Sequence, residues 1–193
     1  MQFIDTALPE VRLIVPPRFA DPRGHFAETW HRAKFRAAGI DVDFVQDNQA
    51  HNRDAGTVRG LHFQSPPAWQ AKLVRVMSGR LFAVAVDLRR SSPRFGKHAS
   101  AALSAARGEQ IFLPVGFAFG YCTLEPDCDV MYKVGDYYAP ALDRGLAWDD
   151  PALGIAWPVE RAAAILSDKD RKHPRLADLP RDWLMDMPAP LPT

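Results

Sequence analysis

Between residues 44 and 138 the chain breaks into eight short stretches of β character, at 44–49, 57–63, 71–77, 80–87, 97–103, 110–114, 119–124 and 129–138. Between them stand turn formers such as Ser78-Gly79, Ser91-Ser92-Pro93, Arg107-Gly108 and Glu125-Pro126-Asp127. Connections this short leave no room for crossover helices, so neighbouring strands run antiparallel. Eight short antiparallel strands must dispose of their unpaired edges, and a jelly-roll sandwich or barrel does so most economically. The expected fold is therefore all-β with a few short helices. In the stretch from Arg80 to Leu88, large Phe82, Val84, Val86 and Leu88 alternate with small residues. One face of that strand belongs to a core, and the other faces a narrow interior or a second sheet.

The flanks are simpler. Val11 to Val15 reads as a strand ended by Pro16-Pro17, and Asp21-Pro22-Arg23-Gly24 as a turn before a second aromatic strand. Thr29 is placed to cap a helix running through Ala38, with Gly39 as its stop. A capped helix from Asp168 to Lys172 opens the tail, which continues as a Pro-rich strap to Thr193. No repeat or change of composition divides the 193 residues, so a single domain is expected over 1–193, with its core at about 44–160 and a strap at 161–193.

Twenty-four Lys and Arg against 23 Asp and Glu leave a net charge of +1, which excludes a general attraction to nucleic acid or membrane. Any anion site must come from local placement of cations. No apolar run approaches the roughly 18 residues of a membrane span, and the expectation is a cytoplasmic, soluble protein. Cys122 and Cys128 accordingly read as free thiols.

The chemistry concentrates in Arg59-Gly60-Leu61-His62-Phe63-Gln64 and in Lys72, ten residues beyond His62. Together they place an imidazole, a guanidinium and an ammonium near what reads as a turn between two strands. A neutral imidazole accepts a proton, and cations hold an anion or a carbonyl oxygen becoming one. Alone, the segment is equally a surface hairpin carrying scattered basic residues.

Its companions settle the reading. Asp21-Pro22-Arg23-Gly24, Phe44-Val45-Gln46-Asp47-Asn48, the His62 segment, Lys72-Leu73-Val74-Arg75 and Pro114-Val115-Gly116-Phe117-Ala118 occur in order. Tyr132-Lys133, Tyr137-Tyr138-Ala139-Pro140, Trp148-Asp149-Asp150-Pro151 and Leu166-Ser167-Asp168-Lys169-Asp170 follow. This ordered set resembles the dTDP-4-dehydrorhamnose 3,5-epimerase family, over about residues 3 to 176.

The resemblance implies a cupin-type jelly roll and an isomerase that epimerises a dTDP-4-keto-6-deoxyhexose at C3 and/or C5 in deoxysugar (rhamnose-type) biosynthesis. It implies His62 as base, Asp170 as its partner, Tyr132 as acid on the opposite face and Lys72 at the keto oxygen. No cofactor is called for, because the substrate's own carbonyl is the electron sink. It also places Arg23, Glu28, Gln46, Asn48, Arg59, Phe119, Tyr138, Asp143 and Lys169 around the nucleotide sugar. Tyr138 would stack on the base, and a homodimer is implied because the N-terminal segment serves the neighbouring subunit's site. Asp143 stands where the family usually has Glu.

Phe119 replaces a histidine that lines the family's site, and an apolar ring neither donates a hydrogen bond nor carries a proton. Two alternatives follow from that change. One is an epimerase restricted to C3 or C5, or acting on another nucleotide sugar. The other is a retired cupin that binds a nucleotide sugar without turnover, against which His62, Lys72, Tyr132 and Asp170 all speak. A metal is not expected: the first cupin ligand pair reads His62-Phe63-Gln64, and His25, His31, His51, His98 and His173 are dispersed.

Overall fold

A computed structural model describes residues 1–186; the end of the expected strap, 187–193, lies outside them. The strands are β1 Gln2–Asp5, β2 Arg12–Val15, β3 Phe19–Asp21, β4 Gly24–Phe26, β5 Gln46–Asn52, β6 Val58–Gln64 and β7 Lys72–Ser78. They continue with β8 Arg80–Asp87, β9 His98–Ser104, β10 Gln110–Leu113, β11 Phe117–Thr123, β12 Cys128–Val134 and β13 Asp143–Gly145. One α-helix, α1 Arg32–Ala37, and short 3-10 turns complete the described residues.

The eight expected strands are β5 to β12, divided four and four between two sheets, with β8 and β9 adjacent in one of them. One sheet runs β1-β2-β10-β7-β12-β5 and the other β13-β6-β11-β8-β9. Within each sheet the pairing is antiparallel, which gives the expected jelly roll. Strand β13 was not anticipated from the sequence; its three residues are too few to carry a periodic signal. The hairpin β3–β4 forms a two-stranded sheet of its own.

Residue alternation sets the layers. On β8, Leu81, Ala83 and Ala85 face the space between the sheets, whereas Phe82, Val84 and Val86, with Leu88 just beyond the strand, pack outward with Leu61, Phe63, Trp157, Leu179 and Leu184. The small side chains pack within the inter-sheet cluster, and the C-terminal segments cover the large ones. On β7, Leu73 packs outward with Phe35 of α1, while Val74 and Val76 face inward. Lys72, two residues before Val74, shares the inward face.

Three expectations change. The helix begins at Arg32, with His31 rather than Thr29 as its N-cap and no side-chain cap; the Thr29 carbonyl instead accepts from Gln110 Nε2 at 2.6 Å. The last core strand ends at Val134 rather than Tyr138, because Gly135 turns the chain and the Asp136 carbonyl accepts from Gln70 Nε2. In the tail, a 3-10 turn over Asp170–Lys172 replaces the helix from Asp168, with Ser167 Oγ accepting from the Asp170 amide. Cys122 and Cys128 are free and buried, and burial pushes both thiols up to about 11.

Candidate active site

The segment carrying His62 is no turn; it is strand β6 itself, made irregular by Gly60. Opposite β6 on β11, Phe119 pairs with His62 and Tyr121 with Arg59, so three steps on one strand span two on the other. This bulge brings Arg59 and His62, which strict alternation would send to opposite faces, onto one face. Gly60 has φ +121°, and a Cβ there would lie 2.7 Å from Gly120 Cα and from the Phe119 carbonyl oxygen. Only glycine permits that approach.

Across the interior, the other sheet presents a second row. Tyr132 on β12 pairs with Asn48 on β5 and Val74 on β7, while Lys72 and Gln46 both pair with Val134. Lys72 and Tyr132 are thus diagonal neighbours on the inner face, with Lys72 Nζ 6.0 Å from the phenol ring centre. The two rows enclose a cavity of about 300 Å³ lined by Gln46, Asn48, His62, Lys72, Tyr132, Tyr138 and Asp143, with Phe63, Gln64 and Gln70.

His62 Nε2 lies 2.6 Å from Asp170 Oδ1, a contact spanning 108 residues. Asp170 is 5% exposed. Burial alone would raise its pKa, but hydrogen bonds with His173 and His62 outweigh it and hold the carboxyl well below the usual range. Lys72 is 7% exposed and donates to Gln70 Oε1 at 3.0 Å. Burial pushes its pKa down to about 8, partly countered by the charge of Asp143. Burial likewise raises the Tyr132 phenol, keeping it a proton donor at neutral pH. One cavity therefore holds an imidazole oriented by a carboxylate, a protonated phenol and an ammonium that burial has made easier to deprotonate.

The polar rim is hydrogen-bonded in a chain. Tyr138 Oη donates to Asp143 Oδ2 at 3.0 Å, and Lys169 Nζ donates to the same oxygen. The Tyr138 amide donates to Gln46 Oε1 at 3.0 Å, and Gln46 Nε2 donates to Asn48 Oδ1 at 2.8 Å. The shorter Asp143 thus reaches both Tyr138 and Lys169.

The remaining predicted residues fall elsewhere. Arg59 lies one bulge along from His62 and donates to Asn52 Oδ1 at 2.7 Å, an oxygen that also accepts from Tyr121 Oη. Phe119 belongs to the apolar cluster between the sheets rather than to the cavity lining, with Tyr132 packed against that cluster. Arg23 sits on the separate β3–β4 hairpin, paired with Asp21; Glu28, just beyond it, pairs with Lys34. Neither lines the cavity of this chain.

Sequence reasoning missed three residues. Buried Gln64 donates to the carbonyls of Ala68 and Tyr137 and accepts from the Ala139 amide, which fixes the loop carrying Tyr138. Gln70 ties Lys72 to the start of that loop. His173 is not dispersed: its Nε2 lies 3.2 Å from the Asp170 oxygen that His62 also meets. Its place three residues after Asp170, at the end of a 3-10 turn, was the available signal.

The family described as dTDP-4-dehydrorhamnose 3,5-epimerase matches residues 5–178. An enzyme of that description from Sinorhizobium fredii is 48% identical over 180 residues, covering 93% of this chain and 92% of its own length. The crystal structure of a dTDP-6-deoxy-D-glucose-3,5-epimerase from Legionella pneumophila, in complex with dTDP-4-keto-L-rhamnose, superposes with a TM-score of 0.93. It has 36% identity and covers 97% of this chain and 99% of that one. A 3′-monoepimerase from Streptomyces bikiniensis in complex with dTDP-quinovose gives a TM-score of 0.82 at 32% identity, over 90% of this chain and 87% of that one. With an inter-sheet cavity of this composition and relatives matched along nearly its full length, the chain belongs to the dTDP-4-dehydrorhamnose 3,5-epimerase family of cupin-fold isomerases.

Proposed function

We propose that this cavity takes a dTDP-4-keto-6-deoxyhexose and epimerises it at C3 and C5, in the formation of dTDP-rhamnose. One observation carries the reading: His62 and Tyr132, from opposite sheets, line a single cavity with Lys72 beside the phenol. A carbon next to a ketone loses its proton when a base stands over the C–H bond and a cation meets the oxygen. His62 takes the proton, and the electron pair moves into an enolate whose oxygen Lys72 stabilises. Tyr132 gives a proton to the opposite face of the same carbon, and proton exchange with water resets both groups. Asp170 favours the imidazolium while it lasts. No electrons leave the substrate.

Arg59 suits a diphosphate through its planar fork, and exposed Tyr138 presents a ring for the pyrimidine. The protein acts as a homodimer in the cytoplasm. The hairpin β3–β4 exposes Phe19 and Phe26, pairs with neither large sheet and carries Arg23, which suits an arm reaching a second subunit's site. Among the described residues, no helix is long and apolar enough to cross a membrane.

The test is deuterium incorporation from heavy water into the dTDP-4-keto sugar. Label at C3 and C5 supports the proposal, label at one carbon replaces it with a monoepimerase, and no label leaves a binding module. Sedimentation at micromolar protein concentration checks the dimer; a monomer there would remove the arm from the account.

A further inference from the structure

The His173 side chain is only 8% exposed, its ring lying edge-to-face with that of His62 at 5.5 Å. Room for it exists only because residue 145 is glycine. Gly145 pairs with His62 across β13 and β6, and a Cβ at Gly145 would come within 2.2 to 2.4 Å of the His173 ring atoms. Both imidazoles direct Nε2 at one oxygen of Asp170, at 2.6 and 3.2 Å. A carboxylate oxygen accepts two such bonds, but each donor it takes up weakens its pull on the other.

We infer that His173 is a positioning residue of the proton-transfer site: it holds Asp170 aimed at His62 and, by sharing that oxygen, moderates how strongly Asp170 favours the protonated His62. The inference rests on the reading of His62 as the base. A base bound too firmly to its proton is idle at neutral pH. A second donor on the same Asp170 oxygen lessens the share of the carboxylate's negative charge that favours the imidazolium.

The groups facing the cluster do not obscure the effect. Lys72, Tyr132, Tyr138 and Asp143 face it from the substrate cavity. Asp149, Arg161, Arg171 and Arg175 surround a second cavity of about 350 Å³ that Asp170 and His173 also line. None of these side-chain types ordinarily titrates near pH 6 to 7, and Lys72, at about 8, acts on the alkaline side.

The experiment is the pH profile of kcat/KM for deuterium exchange in wild type, His62→Ala, His173→Met and His173→Gln. Methionine keeps bulk without a donor, whereas glutamine returns an N–H near the position of Nε2. His173→Met is expected to move the acid limb up by about half to one pH unit, lowering the rate on that limb about 3- to 10-fold. His173→Gln should restore most of the shift. Equal loss at every pH would mean a merely structural role and overturn the inference, as would an unmoved limb. Exchange surviving in His62→Ala removes the base reading itself, a separate failure. Should His173→Met not fold, NMR titration of the two rings in wild type decides. Mutually displaced curves support the shared oxygen, and two independent single-site curves overturn it.

Discussion

Phe119 stands directly across from His62 in the antiparallel pairing of β11 with β6, so the proposed base has an aromatic ring as its cross-strand neighbour. Phe119 is 7% exposed and packed in the inter-sheet apolar cluster, which keeps water from that side of the imidazole. Phe119→His places a polar ring where the surroundings are apolar. It is expected to cost about 1–3 kcal/mol of stability in urea melts while leaving two carbons exchanging. A change in the number of labelled carbons would instead make residue 119 a determinant of specificity.

Lys72 predicts opposite signs for activity and stability. With its pKa at about 8, the free enzyme loses the ammonium as pH rises through that value, and kcat/KM should fall there. Lys72→Met is expected to lower kcat/KM about 10²–10³-fold and to abolish that alkaline limb. The unfolded chain binds this proton more tightly than the folded one, so burial of the charge destabilises most below about pH 8. Stability recovers as pH rises from there toward the ordinary lysine value. Lys72→Met should therefore melt above wild type at pH 7, and the difference should shrink by pH 10.

Asp170 behaves in the reverse sense. Its lowered pKa gives stability that is present above the ordinary carboxylate range and is lost as pH falls through the depressed folded value. Asp170→Asn is expected to flatten acid unfolding at the low end of that window. It should also reduce exchange about 10²–10⁴-fold. Retained activity would separate the carboxylate from proton transfer.

Gly60→Ala tests the bulge. The added methyl meets the backbone of β11 at 2.7 Å, and the positive φ strains any other residue. A loss of about 1–3 kcal/mol is expected from the backbone conformation alone. Activity should fall further than stability, because the relative placement of Arg59 and His62 depends on this bulge. Parallel thermal melts and exchange assays make the comparison.

The eight strands of the jelly roll were legible because alternation of period two and frequent turn formers are local signals. The strand β8 even showed its two faces, with Ala83 and Ala85 toward the space between the sheets and Val84 and Val86 toward the strap. The helix start was misplaced because Thr29, a good cap by type, has its carbonyl engaged by Gln110 from a distant strand. The site residues His62, Lys72, Tyr132, Gln46, Asn48, Tyr138 and Asp143 were all named in advance and line one cavity. Gln64, Gln70 and His173 were not, since buried hydrogen bonds to loops and to a carboxylate leave no period in the chain.

By itself the sequence determined strand content, sheet faces and the kinds of groups available for chemistry, because these depend on side-chain type and spacing along the chain. Tertiary structure alone decided which groups meet. The bulge at Gly60 turns Arg59 and His62 to one side, the sheet pairing sets Lys72 beside Tyr132, and a turn 108 residues downstream of His62 delivers Asp170 and His173 to it. Such contacts follow from register and packing between distant segments, which no local pattern encodes.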